Sequence, residues 1–186
     1  MQTPVILIPG VMGSRLHLTE ELRWDPDSDL DMWAWRRADL ATKRGHLSMT
    51  DTPATVFEDL GHLAALEAST DEGSLIQSRG WAGLAWGFYG PALRELQRRL
   101  NPDGAAGGSF QPFPVYAFGY DFRTSNLTSA HQLVEFVDIT LAATSAAKVI
   151  LVTHSMGGLV ARAACVSDPT FIDKVDRVVH VGQPAD

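Results

Sequence analysis

The sequence lacks several features that would assign it to a specialised class of protein. Its single cysteine, Cys165, has no partner within the chain, so a disulfide framework is excluded. The longest apolar runs, such as 5–8 and 149–152, are far shorter than the ~20 residues that a membrane-spanning helix needs. Residues 1–4 carry none of the basic segment that opens a secretory signal. These absences predict a soluble, cytoplasmic domain.

Basic side chains are also scarce. The chain has 15 Lys and Arg against 22 Asp and Glu, which gives a formal net charge of −7. A general nucleic-acid binder needs a basic face to neutralise phosphates, so nucleic acid is not an expected partner. No cluster of His, Cys and Asp has the spacing of metal ligands, so neither a metal nor another cofactor is expected.

Short apolar runs alternate with amphipathic segments along much of the chain. The continuous apolar run at 5–8 is typical of a strand buried on both faces. Strands that alternate with helices imply βαβ units and a mostly parallel sheet, so the predicted fold class is α/β. The predicted strands are 5–8, 113–118, 148–153 and 175–181, and the predicted helices begin at Pro91, at Ser125 or Asn126, and at Met156, the last ending at Val166.

Residues 14–90 lack a sustained period, within a chain that otherwise indicates one domain over 1–186. So long an irregular connection is uncommon without a function, and we interpret 14–90 as a cap or lid insertion after the first strand. Short helices are expected near 31–41 and 55–67. The tryptophans of this insertion form either an acyl-chain or membrane-contact site or a small core of its own. They are Trp24, Trp33, Trp35, Trp81 and Trp86.

The segment 148–158 carries the most informative motif. A buried apolar strand runs into Ser155, which is flanked by small residues, and a helix begins at once. This is the context of a nucleophile elbow, G-x-S-x-G, in which a sharp turn exposes a serine hydroxyl at a helix N-terminus. Thr153 replaces the first glycine of that pattern. The alternative is a tight turn whose serine only caps the helix.

A glycine-containing loop, 9–14, follows the first predicted strand. In folds with such an elbow, the second oxyanion donor comes from a loop after an early strand. The predicted donors are therefore the backbone N–H groups of Met156 and Val11, with Met12 as the second choice to Val11. The alternative is a glycine turn that only ends the strand. The loop is not a phosphate loop, because it lacks the G-K-[ST] ending.

Four segments together carry a family resemblance. They are PVILIPGVMGSRL (4–16), YDFR (120–123), VTHSMGGLVAR (152–162) and VVHVGQP (178–184). In these segments the chain resembles the lecithin:cholesterol acyltransferase-like group of α/β-hydrolases. The resemblance implies an α/β-hydrolase-type, mostly parallel sheet flanked by helices. It also implies acyl-ester cleavage through a serine acyl-enzyme, whose acyl group passes to water or to an alcohol.

The resemblance also assigns roles to individual residues. It implies that Ser155 is the nucleophile, that Val11 and Met156 form the oxyanion hole, and that Trp24 belongs to the lid near the acyl pocket. Met12, Trp24 and His154 are the candidate substrate-binding residues. His154 lies beside the nucleophile and is not the expected base.

The catalytic histidine and acid are not evident in this sequence. The order of triad residues in this fold is serine, acid, then histidine. After Ser155 the chain has one histidine, His180, inside an apolar strand, where a structural role is favoured over that of general base. The resemblance places both missing residues beyond residue 186. We therefore expect a C-terminally truncated, partial hydrolase domain with an exposed apolar edge strand, which favours self-association or a complementing chain.

Three hypotheses remain open at this stage. The first is a serine-dependent hydrolase or O-acyltransferase on lipid-type esters, with transient contact to a membrane surface. The second is a non-catalytic lipid-binding or interaction module, or one half of a split enzyme. The third is a minimal esterase whose base is His180, which requires its imidazole within hydrogen-bond reach of Ser155. Separately, Asp121 and Arg123 are expected to form a structural salt bridge.

Overall fold

The computed structural model describes residues 2–18, 23–50, 53–58, 76–102 and 112–184. The strands are β1 (Val5–Ile8), β2 (Leu16–His17), β3 (Arg23–Trp24), β4 (Thr55–Val56), β5 (Val115–Ala117), β6 (Val149–His154) and β7 (Val175–Val181). The helices are α1 (Asp29–Arg37), α2 (Leu40–Leu47), α3 (Trp86–Leu100), α4 (Asn126–Thr144) and α5 (Gly157–Ser167), with short 3-10 helices at Trp81–Gly83 and Phe171–Lys174.

Two sheets organise these elements. The main sheet has four parallel strands in the order β5-β1-β6-β7, and a small antiparallel sheet has the order β3-β2-β4. The predicted α/β fold class, with a mostly parallel sheet flanked by helices, is confirmed. In the described part of the chain, no helix is both long and apolar enough to cross a membrane.

Helices cover both faces of the main sheet, because alternate residues of its inner strands point to opposite sides. Val5 and Leu7 of β1 pack in one cluster with Leu93 of α3. Ile6 and Ile8 pack in the other cluster, with residues of α4 and α5. Each residue of β1 is at most 5% exposed. Burial on both faces explains why this strand is a continuous apolar run rather than an alternating one.

The strand β7 forms one edge of the main sheet. Its apolar residues Val178, Val179 and Val181 are 38%, 47% and 51% exposed. In the described part of the chain, no strand pairs with its outer side. The expectation of an exposed apolar edge strand is therefore confirmed.

The described part of 14–90 contains the small sheet, helices α1 and α2, the 3-10 helix Trp81–Gly83 and the first turn of α3. Helices α1 and α2 cover the segment where a helix over 31–41 was expected, with a break at residues 38–39. The expected helix over 55–67 is wrong at its start, because Thr55 and Val56 form β4 and pair with His17 and Leu16. Residues 59–67 lie outside the described residues. The strand assignment depends on pairing with a distant segment, which a local pattern cannot show.

Helix α3 begins at Trp86, five residues before the predicted start at Pro91, which lies inside the helix. The N-cap residue Ala85 makes no side-chain cap. Instead the carboxylate of Asp27, from the insertion, accepts hydrogen bonds from the N–H groups of Trp86 and Gly87. A distant residue thus accepts the free N–H groups of the first turn, which explains why no local start signal precedes this helix.

The other predicted elements are close to the observed ones. Helix α4 begins after Ser125, whose hydroxyl accepts the N–H of Thr128 at 3.1 Å. Strand β5 covers residues 115–117 of the predicted 113–118, and β6 and α5 each lie one residue later than predicted. These elements place the carboxyl ends of β1 and β6 side by side, with α5 starting immediately after β6.

Candidate active site

Ser155 lies in a tight turn at the carboxyl end of β6, before α5 begins. Its backbone φ is +50°, a left-handed conformation that residues with a Cβ rarely adopt. Its N–H donates to the carbonyl of Val181 at 3.0 Å, which extends the pairing of β6 with β7. The Ser155 hydroxyl makes no hydrogen bond to any residue that the structure describes, and α5 has no side-chain cap. The predicted sharp strand-to-helix turn is therefore present.

Glycine follows this turn because α5 starts in contact with the end of β1. A Cβ on Gly157 would lie 2.7 Å from the carbonyl oxygen of Ile8 and 2.5 Å from that of Pro9. A Cβ on Gly158 would collide with the side chain of Gln183. A larger residue at Gly157 would push α5 away from the loop after β1, so Gly157 permits their close approach. At Gly158 the side chain of Gln183 would have to move instead.

The loop after β1 turns back on itself beside Ser155. Gly13 donates its N–H to the carbonyl of Gly10 at 3.1 Å, and Met12 within this turn has a φ of +61°. Trp24 donates its indole N–H to the Met12 carbonyl at 3.2 Å. This bond ties the turn to the small sheet of the insertion.

Backbone N–H groups without partners accompany the serine. Across the described ranges, neither Val11 nor Met156 donates its N–H to another group. Gly10 brings the loop to the serine, because a Cβ there would lie only 3.0 Å from the Cβ of Ser155. Unpaired N–H groups beside a hydroxyl are the donors that an oxyanion requires. Val11 and Met156 as the oxyanion hole, with Met12 beside them, stay a prediction that this arrangement supports.

His154 faces α3. Its Nδ1 lies 2.7 Å from the hydroxyl oxygen of Tyr89, and its ring centroid is 5.9 Å from that of Phe88. Gly10 donates its N–H to the same Tyr89 hydroxyl at 3.0 Å. Burial raises the pKa of Tyr89, so the hydroxyl stays protonated at neutral pH. Sequence reasoning missed Tyr89, because its contacts come from elements far apart in the chain.

His180 of β7 is hydrogen-bonded to Thr153, the residue opposite it in β6. Its Nδ1 lies 2.7 Å from the Thr153 hydroxyl oxygen, and that threonine is fully buried. No hydrogen bond joins His180 to Ser155 within the described ranges. The geometry therefore favours the structural role of His180 over that of general base. It also gives Thr153, which replaces a glycine of the elbow pattern, a partner for its hydroxyl.

The predicted salt bridge between Asp121 and Arg123 is confirmed. It is bidentate, with nitrogen–oxygen distances of 2.7 and 2.9 Å. The N–H of Ala54 donates to the same carboxylate at 2.8 Å, and Arg123 donates to the His46 carbonyl at 2.9 Å. Burial alone would raise the pKa of Asp121, but the hydrogen bonds from Arg123 and Ala54 outweigh it and hold the pKa below its ordinary value. The pair thus fastens the insertion to the loop after β5.

Trp24 is buried, with 9% of its surface exposed. It packs edge-to-face with Trp35 and Phe122, at centroid distances of 5.4 and 5.9 Å. Its contact with the site is the bond to Met12 rather than an open ring face. Substrate contact by Trp24, Met12 and His154 stays a prediction. Among the residues that the structure describes, no three His, Cys, Asp or Glu side chains are grouped to hold a metal ion.

Comparisons with known proteins identify related folds. The family model of the PGAP1-like alpha/beta domain matches residues 129–186, which run from α4 through Ser155 to the end of the chain. A chain of the solved Tle4–Tli4 complex matches with a TM-score of 0.63 and 24% identity, over 98% of this chain and 46% of that chain. No curated protein sequence matches this chain.

The two matches agree with each other on architecture. The fold is of the α/β-hydrolase type, and residues 129–186 are similar to the PGAP1-like domain of that superfamily. Over residues 129–186 this match supports the resemblance at the level of the α/β-hydrolase superfamily, and it does not confirm the lecithin:cholesterol acyltransferase-like group. This chain spans less than half the length of the solved chain that it matches, at 46%.

Proposed function

We propose that this chain carries the nucleophile of a serine-dependent acyl-ester hydrolase or O-acyltransferase. The observation that carries the proposal is the placement of Ser155 at a positive-φ turn beside the loop that contains Val11, with its hydroxyl unpaired among the described residues. A serine that only capped the helix would accept a hydrogen bond at its hydroxyl from the first turn of α5. The Ser155 hydroxyl accepts none from the described residues, although the Ser155 carbonyl accepts the Gly158 N–H at 3.1 Å. The capping alternative therefore leaves the strained turn unexplained.

The chemistry follows from these groups. The Ser155 oxygen attacks the ester carbonyl carbon and loses its proton to a general base, and the N–H groups of Val11 and Met156 bind the developing oxyanion. Collapse of the tetrahedral intermediate breaks the carbon–oxygen bond to the alcohol, which takes the proton from the base. Water or an acceptor alcohol then releases the acyl group, as an acid or as a new ester.

The described residues place no general base in hydrogen-bond contact with Ser155. In the described part of the chain, no histidine or carboxylate hydrogen-bonds to Ser155, and the imidazole of His180 is bonded to Thr153. Our proposal therefore assigns the base to the remaining residues of this chain or to a second copy of it, so the purified chain should contain every group that Ser155 needs to react.

Apolar side chains beside the serine support a lipid-type acyl group. Val11, Met12 and Phe88 are 55%, 40% and 67% exposed, although each is apolar. The first two follow Gly10, which contacts Ser155, and the third lies against His154. Exposed apolar surface around a reactive group marks a binding site for an apolar ligand. Within this proposal, 14–90 serves as a lid whose small sheet reaches the site through Trp24.

Covalent labelling tests the proposal directly. The purified chain is incubated with a fluorophosphonate, its intact mass is measured over time, and Ser155→Ala is treated in parallel. We expect one adduct on the wild-type chain and none on the variant, and turnover of p-nitrophenyl butyrate that the variant loses. A folded wild-type chain that forms no adduct would contradict the proposal.

The exposed edge favours a second candidate, a non-catalytic interaction module or one half of a split enzyme. Grooves of about 720 and 530 Å³ run beside β7 on the α3 face and share Leu96 and Val152 in their walls. Apolar grooves beside an unpaired strand edge suit a second chain. Light scattering after gel filtration tests this candidate, which predicts a dimer or larger assembly and no serine adduct.

A further inference from the structure

Two tyrosine hydroxyls hold opposite ends of one peptide group next to Ser155. Gly10 donates its N–H to the Tyr89 hydroxyl oxygen at 3.0 Å. Tyr120 donates its hydroxyl proton to the Pro9 carbonyl at 3.0 Å. The Pro9 carbonyl and the Gly10 N–H belong to the same peptide bond. Two bonds at its opposite ends therefore fix the orientation of its plane.

This peptide group needs such a restraint. A stiffer residue at Gly10 would require its neighbours to shift, because a Cβ would lie 3.0 Å from the Cβ of Ser155 and 3.1 Å from Nδ1 of His154. Glycine populates many backbone conformations, so the plane before it is free to rotate unless other groups hold it. The φ and ψ of Gly10 together set the direction of the next N–H group, that of Val11, relative to this plane. Holding the plane therefore fixes the reference from which the Val11 N–H is oriented.

The Tyr89 hydroxyl also reaches the turn that carries the nucleophile. Because its oxygen accepts from Gly10, its one proton is available for Nδ1 of His154, 2.7 Å away. His154 then carries its own proton on Nε2 when neutral. A single hydroxyl thus links the loop after β1 to the residue that precedes Ser155.

Both tyrosine hydroxyls are buried and protonated, which preserves their hydrogen bonds to the peptide group. Tyr89 and Tyr120 are 5% and 1% exposed, so water does not compete for their bonds. Burial raises the pKa of each phenol, which keeps both protonated at neutral pH. Tyr89 comes from α3 and Tyr120 from the loop after β5, so the peptide group is held from two separate parts of the fold.

We infer that Tyr89 and Tyr120 are positioning residues, which aim the Val11 N–H at the oxyanion by clamping the Pro9–Gly10 peptide group. This inference rests on the proposed function, since an oxyanion donor matters only where Ser155 attacks an ester. Each tyrosine acts through the geometry of the loop.

Removal of each hydroxyl tests the positioning role. Tyr89→Phe and Tyr120→Phe are compared with Tyr116→Phe, whose hydroxyl makes no hydrogen bond within the described ranges. We expect the first two to lower kcat for p-nitrophenyl butyrate and the rate of fluorophosphonate labelling by about 10- to 100-fold, with KM nearly unchanged. Tyr116→Phe should react like the wild type. Equal reactivity of all three variants would overturn the inference.

NMR detects the hydrogen bond to the Pro9–Gly10 peptide group without requiring catalytic activity. In the wild type, the Gly10 amide should exchange slowly with solvent and the His154 ring should show the Nε2–H tautomer. Tyr89→Phe should speed the exchange of the Gly10 amide and change the tautomer, whereas Tyr116→Phe should do neither. An unchanged Gly10 amide would show that Tyr89 does not hold the peptide group.

The two measurements separate failure of the inference from failure of the proposed function. A wild-type chain that forms no serine adduct contradicts the proposed function, and the catalytic part of the inference falls with it. A wild-type chain that reacts, with Tyr89→Phe equally reactive, leaves the proposed function standing and overturns only the positioning role. Far-ultraviolet circular dichroism and thermal melting confirm that each variant is folded.

Discussion

Gly10 and Ser155 lie in contact at the carboxyl ends of two neighbouring parallel strands. A Cβ on Gly10 would lie 3.0 Å from the Cβ of Ser155. The register of β1 and β6 pairs Ile8 with Thr153, so each residue of the contact lies two positions beyond a paired residue. Parallel strands end at the same edge of a sheet, which brings the loops after them together. The loop after β1 and the serine are therefore adjacent because of sheet topology.

This contact predicts the effect of enlarging Gly10. In Gly10→Ala, the new methyl group must displace the Ser155 turn, and we expect a loss of about 1–3 kcal/mol in the free energy of unfolding. Fluorophosphonate labelling should fall more than tenfold. Gly45→Ala is the matched control, because a Cβ there meets no atom within 4 Å. That change in α2 should be neutral or stabilising by up to about 1 kcal/mol, and a similar loss in both variants would contradict the steric argument.

The left-handed backbone conformation of Ser155 predicts that glycine is more stable than alanine at this position. At a φ of +50°, a Cβ is strained, and glycine removes that strain at some cost in chain entropy. Ser155→Gly should therefore be more stable than Ser155→Ala by about 0.5–1 kcal/mol, although both lack the hydroxyl. Urea unfolding measures the difference. A glycine variant less stable than the alanine variant would show that a Cβ causes no strain at this turn.

Elements whose cause is local could be predicted from the sequence. The run at 5–8 is apolar because β1 is buried on both faces, and Ser125 caps α4 with its own hydroxyl. The turn at Ser155 also follows from a local pattern of strand, small residues and helix. These features depend on neighbours within a few residues, which is the range over which sequence patterns carry information.

Features whose cause is distant could not be predicted in the same way. The start of α3 depends on Asp27, and β4 exists because it pairs with β2. Tyr89 and Tyr120 matter because tertiary packing brings both hydroxyls to one peptide bond. No local pattern distinguishes these tyrosines from core aromatic residues. The positive φ of Met12 is similarly unmarked, because a bulky residue occupies a position that usually favours glycine.

The carboxylate of Asp121 predicts how stability depends on pH. Its folded pKa is below its ordinary value of 3.8, so its stabilisation is complete above that value and is lost as the pH falls through the folded pKa. Asp121→Asn should cost about 2 kcal/mol at neutral pH, and the difference from the wild type should shrink in acid. Asp176→Asn, at an exposed pair with Arg177, is the control and should change little. A difference that is constant down to pH 2 would contradict the assignment.

The contacts of Asp27 predict that it stabilises the start of α3 as a long-range helix cap. Its carboxylate accepts the N–H groups of Trp86 and Gly87, so Asp27→Ala should cost about 1 kcal/mol in the free energy of unfolding. Asp27→Asn is the matched variant, because asparagine also accepts such bonds, and it should retain most of the stability. Hydrogen exchange at the first turn of α3 should speed up in the alanine variant alone. Equal exchange in both variants would assign the effect to charge rather than to capping.

Substitutions at a buried and at an exposed tryptophan distinguish a packed core from a membrane-contact site. Trp81 is 1% exposed and donates its indole N–H to the Val115 carbonyl at 2.9 Å, whereas Trp33 is 58% exposed and packs against Arg37. Trp81→Ala should therefore cost at least about 3 kcal/mol, because it empties a packed site and leaves a buried carbonyl unpaired. Trp33→Ala should leave thermal stability nearly unchanged and lower any binding to anionic vesicles. If Trp81→Ala instead weakened vesicle binding without loss of stability, the indole would be a membrane contact despite its burial, and the insertion would have to open for Trp81 to reach a bilayer.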